Sequence, residues 1–413
     1  MDGYDFQRRA NVATQAQKVS CILMIACAIL LALTLGVWTG APHVAAQGNR
    51  ESGYCVIEQA SGRVLYEYNK DARLEMASTT KIMTALVALE TLDPDAQIRV
   101  DDRAIGVEGS SIYLRKNEIW TARDLLHGLM LRSGNDAAVA LAIASCGSEE
   151  AFAVRMNETA RKIGLEQTHF TNPHGLHDDE HYTTAYELAK LSAYAMSNPE
   201  FRAIVGAKVY KVAANETHPE HYFANKNKML ASFDGANGIK TGYTTHSGRC
   251  LVSAAERDGM QLIGVVLNCY DMWNQSAQML ENGFRNYRNV KLGEAGKALF
   301  RVGEGEHAAA VGLETDIVFP LRTDEDLDFR FTIRPHKGLR LPLAQGQEIG
   351  RVEISRENRL LFSAKLITMN AVNDAGVVLM LSNLCGNLHI ENNGGEIEQI
   401  FSVERNRFPT RRG

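Results

Sequence analysis

The sequence predicts an α+β protein: an antiparallel five-stranded sheet with packed helices, followed by a small all-β C-terminal domain. Three observations carry that expectation. Two short β-like runs, Gly53-Tyr-Cys-Val-Ile-Glu and Arg63-Val-Leu-Tyr-Glu-Tyr, are joined by Ala-Ser-Gly and read as a hairpin. Helical periodicities fill the middle of the chain, and strand patterns return after Lys226. From about residue 300, short β-like runs alternate with Gly, Asp and Asn turns.

Taken in order, residues 1–18 are polar, and Val19 to Trp38 carry no charge. Val44 and Ala46 are placed for signal cleavage before Gln47, while a run of this length also spans a bilayer if retained. Residues 1–46 are therefore read as a signal peptide or an N-terminal membrane anchor, with Arg8, Arg9 and Lys18 ahead of the run and the rest of the chain exported. Ile82, Ala85, Leu86 and Leu89 recur at helical spacing. A helix runs through Leu125, Leu126, Leu129 and Met130, breaks at Arg132-Ser-Gly-Asn-Asp, and resumes from Ala137 to Ala144. Further helical patterns occupy Glu149–Ile163 and Ala185–Met196. Ala236–Tyr243, Arg249–Ala255 and Gln261–Leu267 form an antiparallel meander that turns at Asp258-Gly259. A helix near Met279–Tyr287 covers one face. The domain expectations are 47–295 for the sheet-and-helix unit and 300–372 for the β domain. Residues 373–413 are a tail of no assigned role and no amphipathic helix.

Composition narrows the function. Of 413 residues, 45% are apolar and 23% charged, and the formal charge is −5. No basic stripe precedes the last few residues, so nucleic acid is not an expected partner. Seven scattered cysteines suggest buried small hydrophobes rather than a disulfide framework or zinc spacing. The segment from Thr168 to Tyr182 contains His169, His174, His177 and His181. Its Asn-Pro and His-Gly steps mark a loop without an i, i+4 histidine pair, so neither a metal nor another cofactor is predicted.

Three short motifs point to chemistry: Ser78-x-x-Lys81 at a helix start, Ser133-Gly134-Asn135 in a helix–helix loop, and Lys240-Thr241-Gly242 on a strand. Residues three apart share a helix side, so Ser78 and Lys81 face each other on the buried side. A desolvated lysine sheds its proton readily and is a base for the hydroxyl beside it. Each motif alone has a plainer reading. Ser78 is a common N-cap type, Ser133 and Asn135 are cap residues for the next helix, and Lys240 suits an exposed strand end. Together they supply what acyl transfer needs: a nucleophile with its base, a proton donor for the leaving amine, and a cation for a carboxylate.

With Gly109-Ser-Ser-Ile-Tyr-Leu, Asn172-Pro-His-Gly-Leu and Asp234-Gly-Ala-Asn-Gly-Ile-Lys-Thr-Gly-Tyr-Thr, the set resembles the serine-type D-alanyl-D-alanine carboxypeptidases. These are low-molecular-mass penicillin-binding proteins of the peptidase S11 family. The likeness covers about residues 50–290 and, more loosely, the β domain. It implies a β-lactamase/transpeptidase-like fold and a penicillin-binding catalytic domain without cofactor. Ser78 is then the nucleophile and Lys81 its base, and Ser133 relays a proton to the leaving D-alanine. Asn135 binds the donor peptide, Lys240 and Thr241 receive the terminal carboxylate, and Gly242 leaves room for substrate. The N–H groups of Ser78 and Tyr243 hold the oxyanion. Lys226 is a further carboxylate ligand, and His181 is structural. The implied partners are peptidoglycan stem peptides ending in D-Ala-D-Ala, with β-lactams as covalent inhibitors, at the outer face of the cytoplasmic membrane.

Two rivals share the motifs. A class A-like β-lactamase needs a deacylation base, and no Glu-x-x-Leu-Asn lies between Asn135 and Lys240. A non-catalytic murein- or β-lactam-binding protein would not need every reactive side chain. Endopeptidase action on cross-links uses the same machinery and is left open.

Overall fold

In a computed structural model of the chain, residues 51–302, 305, 308–325, 329–356, 359–382, 387–393 and 396–400 are described. The predicted signal or anchor segment lies outside the described residues. Strands β1 (Gly53–Glu58) and β2 (Val64–Tyr68) form the first hairpin. A short 3₁₀ turn, Ala77–Thr80, feeds α1 (Lys81–Thr91). There follow β3 (Gln97–Arg99), β4 (Ile119–Thr121), α2 (Ala122–His127), a wide turn Gly128–Arg132, and α3 (Asn135–Cys146). Helices α4 (Glu149–Lys162), α5 (Ala185–Met196) and α6 (Pro199–Gly206) lead to the hairpin β5 (Val209–Val212) and β6 (His221–Ala224). Sequence periodicity missed that hairpin because its strands have only four residues each. After α7 (Met229–Ser232) come β7 (Ala236–Thr244), β8 (Gly248–Arg257), β9 (Met260–Leu267) and α8 (Met272–Asn286).

The expected five-stranded antiparallel sheet is present in the order β2-β1-β9-β8-β7. It closes by pairing β1 with β9, so Cys55 faces Val265 across chain ends far apart in sequence. Alternation along the strands divides the core. Val56, Leu251, Ala255, Leu262 and Val266 pack with Met279 and Leu280 of α8. On the other face Cys55, Ile57, Val252, Ala254, Ile263 and Val265 meet the helical layer. There α1 runs through the middle, with Lys81 to Ala88 all buried. A helix covered on all sides needs apolar residues around its whole circumference, so a lysine at its head stands out.

The second unit starts earlier and ends later than its sequence pattern suggests. Strand β10 (Tyr287–Gly293) pairs with β13 (Ile317–Arg322). The larger sheet contains β11 (Ala298–Val302), β12 (Ala309–Leu313), β14 (Arg330–Pro335), β15 (Glu348–Arg356) and β16 (Arg359–Thr368). Beyond residue 372, helix α9 (Ala375–Ser382) buries Val377, Val378 and Leu381 in the β-domain core. Strand β17 (Asn387–Asn393) then pairs with β14, and β18 (Glu396–Ile400) pairs with β17. The tail left without a role thus extends this sheet. Its Asn- and Gly-rich composition reads as turn, while the alternating Leu388 and Ile390 are the strand signal.

Arg63, at the foot of the first hairpin, clamps the two units. Its guanidinium donates to Pro320 O at 2.5 Å and to Glu325 Oε1 at 2.7 Å, and lies 5.2 Å from the ring centres of both Tyr287 and Phe319. Arg356 meets the same carboxylate from the β domain. We expect Arg63→Ala to weaken docking by about 1–3 kcal/mol and lower the β domain's transition in calorimetry. Penicillin acylation should stay within about twofold, because the two regions are well separated. An unmoved β-domain transition contradicts the clamp.

Candidate active site

Ser78 lies half-buried in the turn Ala77–Thr80. The turn is held in an uncommon shape, with Ala77 at φ +47° in the region non-glycine residues rarely adopt. Neighbours over-determine it. Thr79 Oγ1 donates to Met76 O at 2.6 Å and Thr80 Oγ1 donates to Ala77 O at 2.7 Å. His181 Nε2 lies 2.8 Å from Thr80 Oγ1, and its Nδ1 accepts from Thr171 N at 3.1 Å. Nδ1 is therefore the bare nitrogen and Nε2 carries the hydrogen. Burial drives the His181 pKa down to about 3, so the ring stays neutral. His181 is structural, as its sequence context suggested. Gly175 packs from the other side: a Cβ there would fall 2.0 Å from Ala77 O.

Lys81 heads α1 with no exposed surface. Its Nζ is 3.1 Å from Ser78 Oγ and donates to Asn135 Oδ1 and to His174 O, each at 2.6 Å. Desolvation, followed by the like charge of Lys240, holds its pKa well below the ordinary lysine range. The side chain has two carbonyl acceptors and a hydroxyl around it and no paired carboxylate.

Ser133 adopts left-handed backbone, φ +66° and ψ +32°, at the end of the wide turn before α3. This conformation puts a buried Oγ at the turn with no hydrogen-bond partner among the described residues. Asn135 spends its side chain inside the protein: Oδ1 takes Lys81, and Nδ2 donates to Glu108 O. Its place beside a donor peptide was the expectation; here it orients the lysine first. Asp136 is the anchor of the covering loop. Its carboxylate accepts from Ser111 Oγ at 2.5 Å, Ile112 N at 3.0 Å, Leu114 N at 3.1 Å and Ala137 N at 2.9 Å. Gly109, at φ +95°, brings that loop close, since a Cβ would meet Asn135 Nδ2 at 2.7 Å.

Strand β7 is the outer strand of the sheet and packs against the Ser78 turn. By alternation, Lys240 and Gly242 point to that side and Thr241 and Tyr243 away from it. A Cβ on Gly242 would lie 3.1 Å from Met76 O and from Ser78 N. The glycine therefore admits the nucleophile turn itself, where room for substrate was expected. Lys240 is buried, and its Nζ donates to Thr241 O at 2.8 Å. Desolvation, with the charge of Lys226 beside it, pushes its pKa down to about 7. Lys226 Nζ reaches Ser110 Oγ at 3.2 Å on the loop above. Among the described residues no carboxylate pairs with Lys81, Lys226 or Lys240, and all three are held below the ordinary lysine range.

The structure thus brings the three motifs onto one cleft. Sequence reading missed His174 O, Glu108 O and Asp136. The first two are backbone acceptors and leave no residue-type signal, whereas Asp136 directly follows Ser-Gly-Asn and was there to be found.

A serine beside a buried lysine, set against the outer strand of an antiparallel sheet under a helical layer, defines a serine acyl-transfer enzyme. Residues 41–270 match the peptidase S11 family of D-alanyl-D-alanine carboxypeptidases, and residues 287–374 match the C-terminal domain of penicillin-binding protein 5. The D-alanyl-D-alanine carboxypeptidase DacA of Haemophilus influenzae is 32% identical over 343 residues, covering 78% of this chain and 86% of that protein. DacF of Bacillus subtilis is 29% identical, covering 80% and 88%. A crystal structure of penicillin-binding protein 5 from H. influenzae superposes with a TM-score of 0.64 at 28% identity, covering 81% of this chain and all of that one. The chain belongs to the peptidase S11 family.

Removing the Thr80 hydroxyl tests how the turn is held. Thr80→Val leaves the buried His181 Nε2–H without its partner, at about 1–3 kcal/mol for the unpaired group. Urea unfolding should show that loss; a change below about 0.5 kcal/mol contradicts the assigned contact.

Proposed function

We propose that this chain is an exported serine D-alanyl-D-alanine carboxypeptidase that trims the terminal D-alanine from peptidoglycan stem peptides. The observation that carries the reading is the Lys81 environment. A neutral amine has two N–H donors and one lone pair. Asn135 Oδ1 and His174 O take the donors, leaving the lone pair for Ser78 O–H. Desolvation favours that neutral state.

Ser78 Oγ attacks the carbonyl of the penultimate D-alanine while its proton passes to Lys81 Nζ. Negative charge builds on the carbonyl oxygen, between the N–H groups of Ser78 and Tyr243. The C–N bond to the last D-alanine then breaks. Its nitrogen gains the proton through Ser133 Oγ, whose lack of an internal partner suits a relay. Lys240, with Lys226 beside it, receives the terminal carboxylate, while Thr241 stands on the far face of β7. Water, activated again by Lys81, releases the shortened stem. β-Lactams carry a carboxylate and a strained amide in similar positions and acylate Ser78. Asp136 is spent on its loop, so it is no base for rapid deacylation, which favours slow release over β-lactamase turnover. Val19–Trp38 supports export, and places the enzyme at the membrane's outer face if it is retained. Among the described residues, no single helix is long and apolar enough to cross a membrane.

Incubation with a pentapeptide ending in D-Ala-D-Ala should release D-alanine, and Ser78→Ala or Lys81→Met should lower kcat/KM by at least ~10³-fold. Equal release by wild type and Ser78→Ala contradicts the assignment.

Lys240 provides a pH test. In the free cleft it loses its proton near pH 7, and an arriving carboxylate stabilises the ammonium and raises that pKa. At pH 8 the free lysine is mostly neutral, so binding must take up a proton. Calorimetry of Ser78→Ala with a penicillin, in buffers of different ionisation enthalpy, should show this uptake. The same measurement on Ser78→Ala/Lys240→Arg should show none, because a guanidinium is already charged. Equal uptake by both contradicts the role.

A further inference from the structure

Four histidines in one loop suggested no metal centre, and three of them serve elsewhere. His169 Nδ1 meets Glu180 O at 2.6 Å, His174 Nε2 lies 3.4 Å from Glu149, and His181 holds the nucleophile turn. His177 differs. It meets two residues from distant segments: Glu75, three positions before Ser78, and His246, in the turn between β7 and β8. The Glu75 carboxylate, His177 and His246 each have a ligand atom within 4.8 Å of the others.

We infer that Glu75, His177 and His246 form a site for a divalent transition-metal ion of the zinc type at the rim of the catalytic cleft. Two imidazole nitrogens and one carboxylate oxygen are a borderline donor set, suited to Zn²⁺, Co²⁺, Ni²⁺ or Cu²⁺ and not to Mg²⁺ or Ca²⁺. One ligand pair already has the spacing an ion requires, and the third ligand lies within 4.8 Å of both. Ligand atoms about 2.1 Å from a metal, at right or tetrahedral angles, stand ~3.0–3.4 Å apart. His177 Nδ1 and Glu75 Oε1 are 2.9 Å apart. The His177 and His246 rings stack with centres 3.8 Å apart and planes 14° from parallel. Both rings are exposed, so a small tilt turns their nitrogens onto one point. Asp179 Oδ1 lies 3.7 Å from His177 Nε2, the other ring nitrogen. A water or hydroxide completes the coordination.

Each ligand sits on a segment that also carries a piece of the cleft. Glu75 precedes the nucleophile turn, His177 follows the carbonyl that holds Lys81, and His246 follows Lys240-Thr-Gly-Tyr. A bound ion therefore ties the segments around Ser78 together from outside, without touching the reacting groups.

The test uses tag-free wild type, His246→Ala and Glu75→Gln, dialysed against chelator and titrated with Zn²⁺ by calorimetry and with Co²⁺ by visible absorption. We expect one saturable ion per chain, Co²⁺ ligand-field bands, and affinity at least ~10-fold weaker in each variant. Metal-free His246→Ala should acylate with penicillin like metal-free wild type, which shows that the variant is folded. Absence of saturable binding below about 1 mM metal overturns the proposal, as does undiminished binding in both variants.

Discussion

A fully buried lysine side chain, with no counter-ion among the described residues, is the constraint on which this cleft depends. An ammonium at the Lys81 position would cost several kcal/mol in desolvation, and the nearest compensation, Asp136, is already shared among a hydroxyl and three backbone N–H groups. The fold instead surrounds Nζ with carbonyl oxygens, which satisfy an amine's hydrogens while leaving its lone pair toward Ser78. Burial in the middle of the helical layer is thus what lowers this amine's pKa. It also explains why so much nearby structure is rigid: a neutral amine works only if its acceptors stay in place.

Four chain segments supply that rigidity. The 3₁₀ turn is pinned by His181 and crowded by Gly175 and Gly242, the loop above it is tied down by Asp136, and the sheet brings in β7 from late in the chain. Only the pairing of β1 with β9 closes that sheet, so the cleft forms once the whole domain has folded. The lysine cluster that results has no acid among the described residues to pair with, so burial and mutual repulsion push its protons off. On the proposed reading, the carboxylate of the substrate relieves that imbalance.

Much of this was legible from residues alone. The sequence pattern placed α1, α3, α4 and α5 and the meander, because long apolar runs and long amphipathic ones both announce themselves. Ser78 and Lys81 could be paired because helix geometry fixes neighbours three apart. What stayed hidden has physical reasons. Backbone acceptors such as His174 O carry no signature in residue type. Gly242 looked like space for a ligand, and only coordinates reveal that its missing Cβ admits the turn bearing Ser78. Strand β17 is masked by asparagines that usually mark turns. His177 and His246 meet because two loops converge, which no local spacing encodes.

The charge state of Lys81 is the most direct test of the account. Protein labelled with ¹³C at lysine Cε, with the Lys81 signal assigned by its loss in Lys81→Arg, can be titrated by NMR. The account predicts a Lys81 midpoint well below the ordinary lysine value of ~10.4, with a neutral amine under working conditions. A midpoint at or above that ordinary value would show a charged side chain beside Ser78 and contradict it.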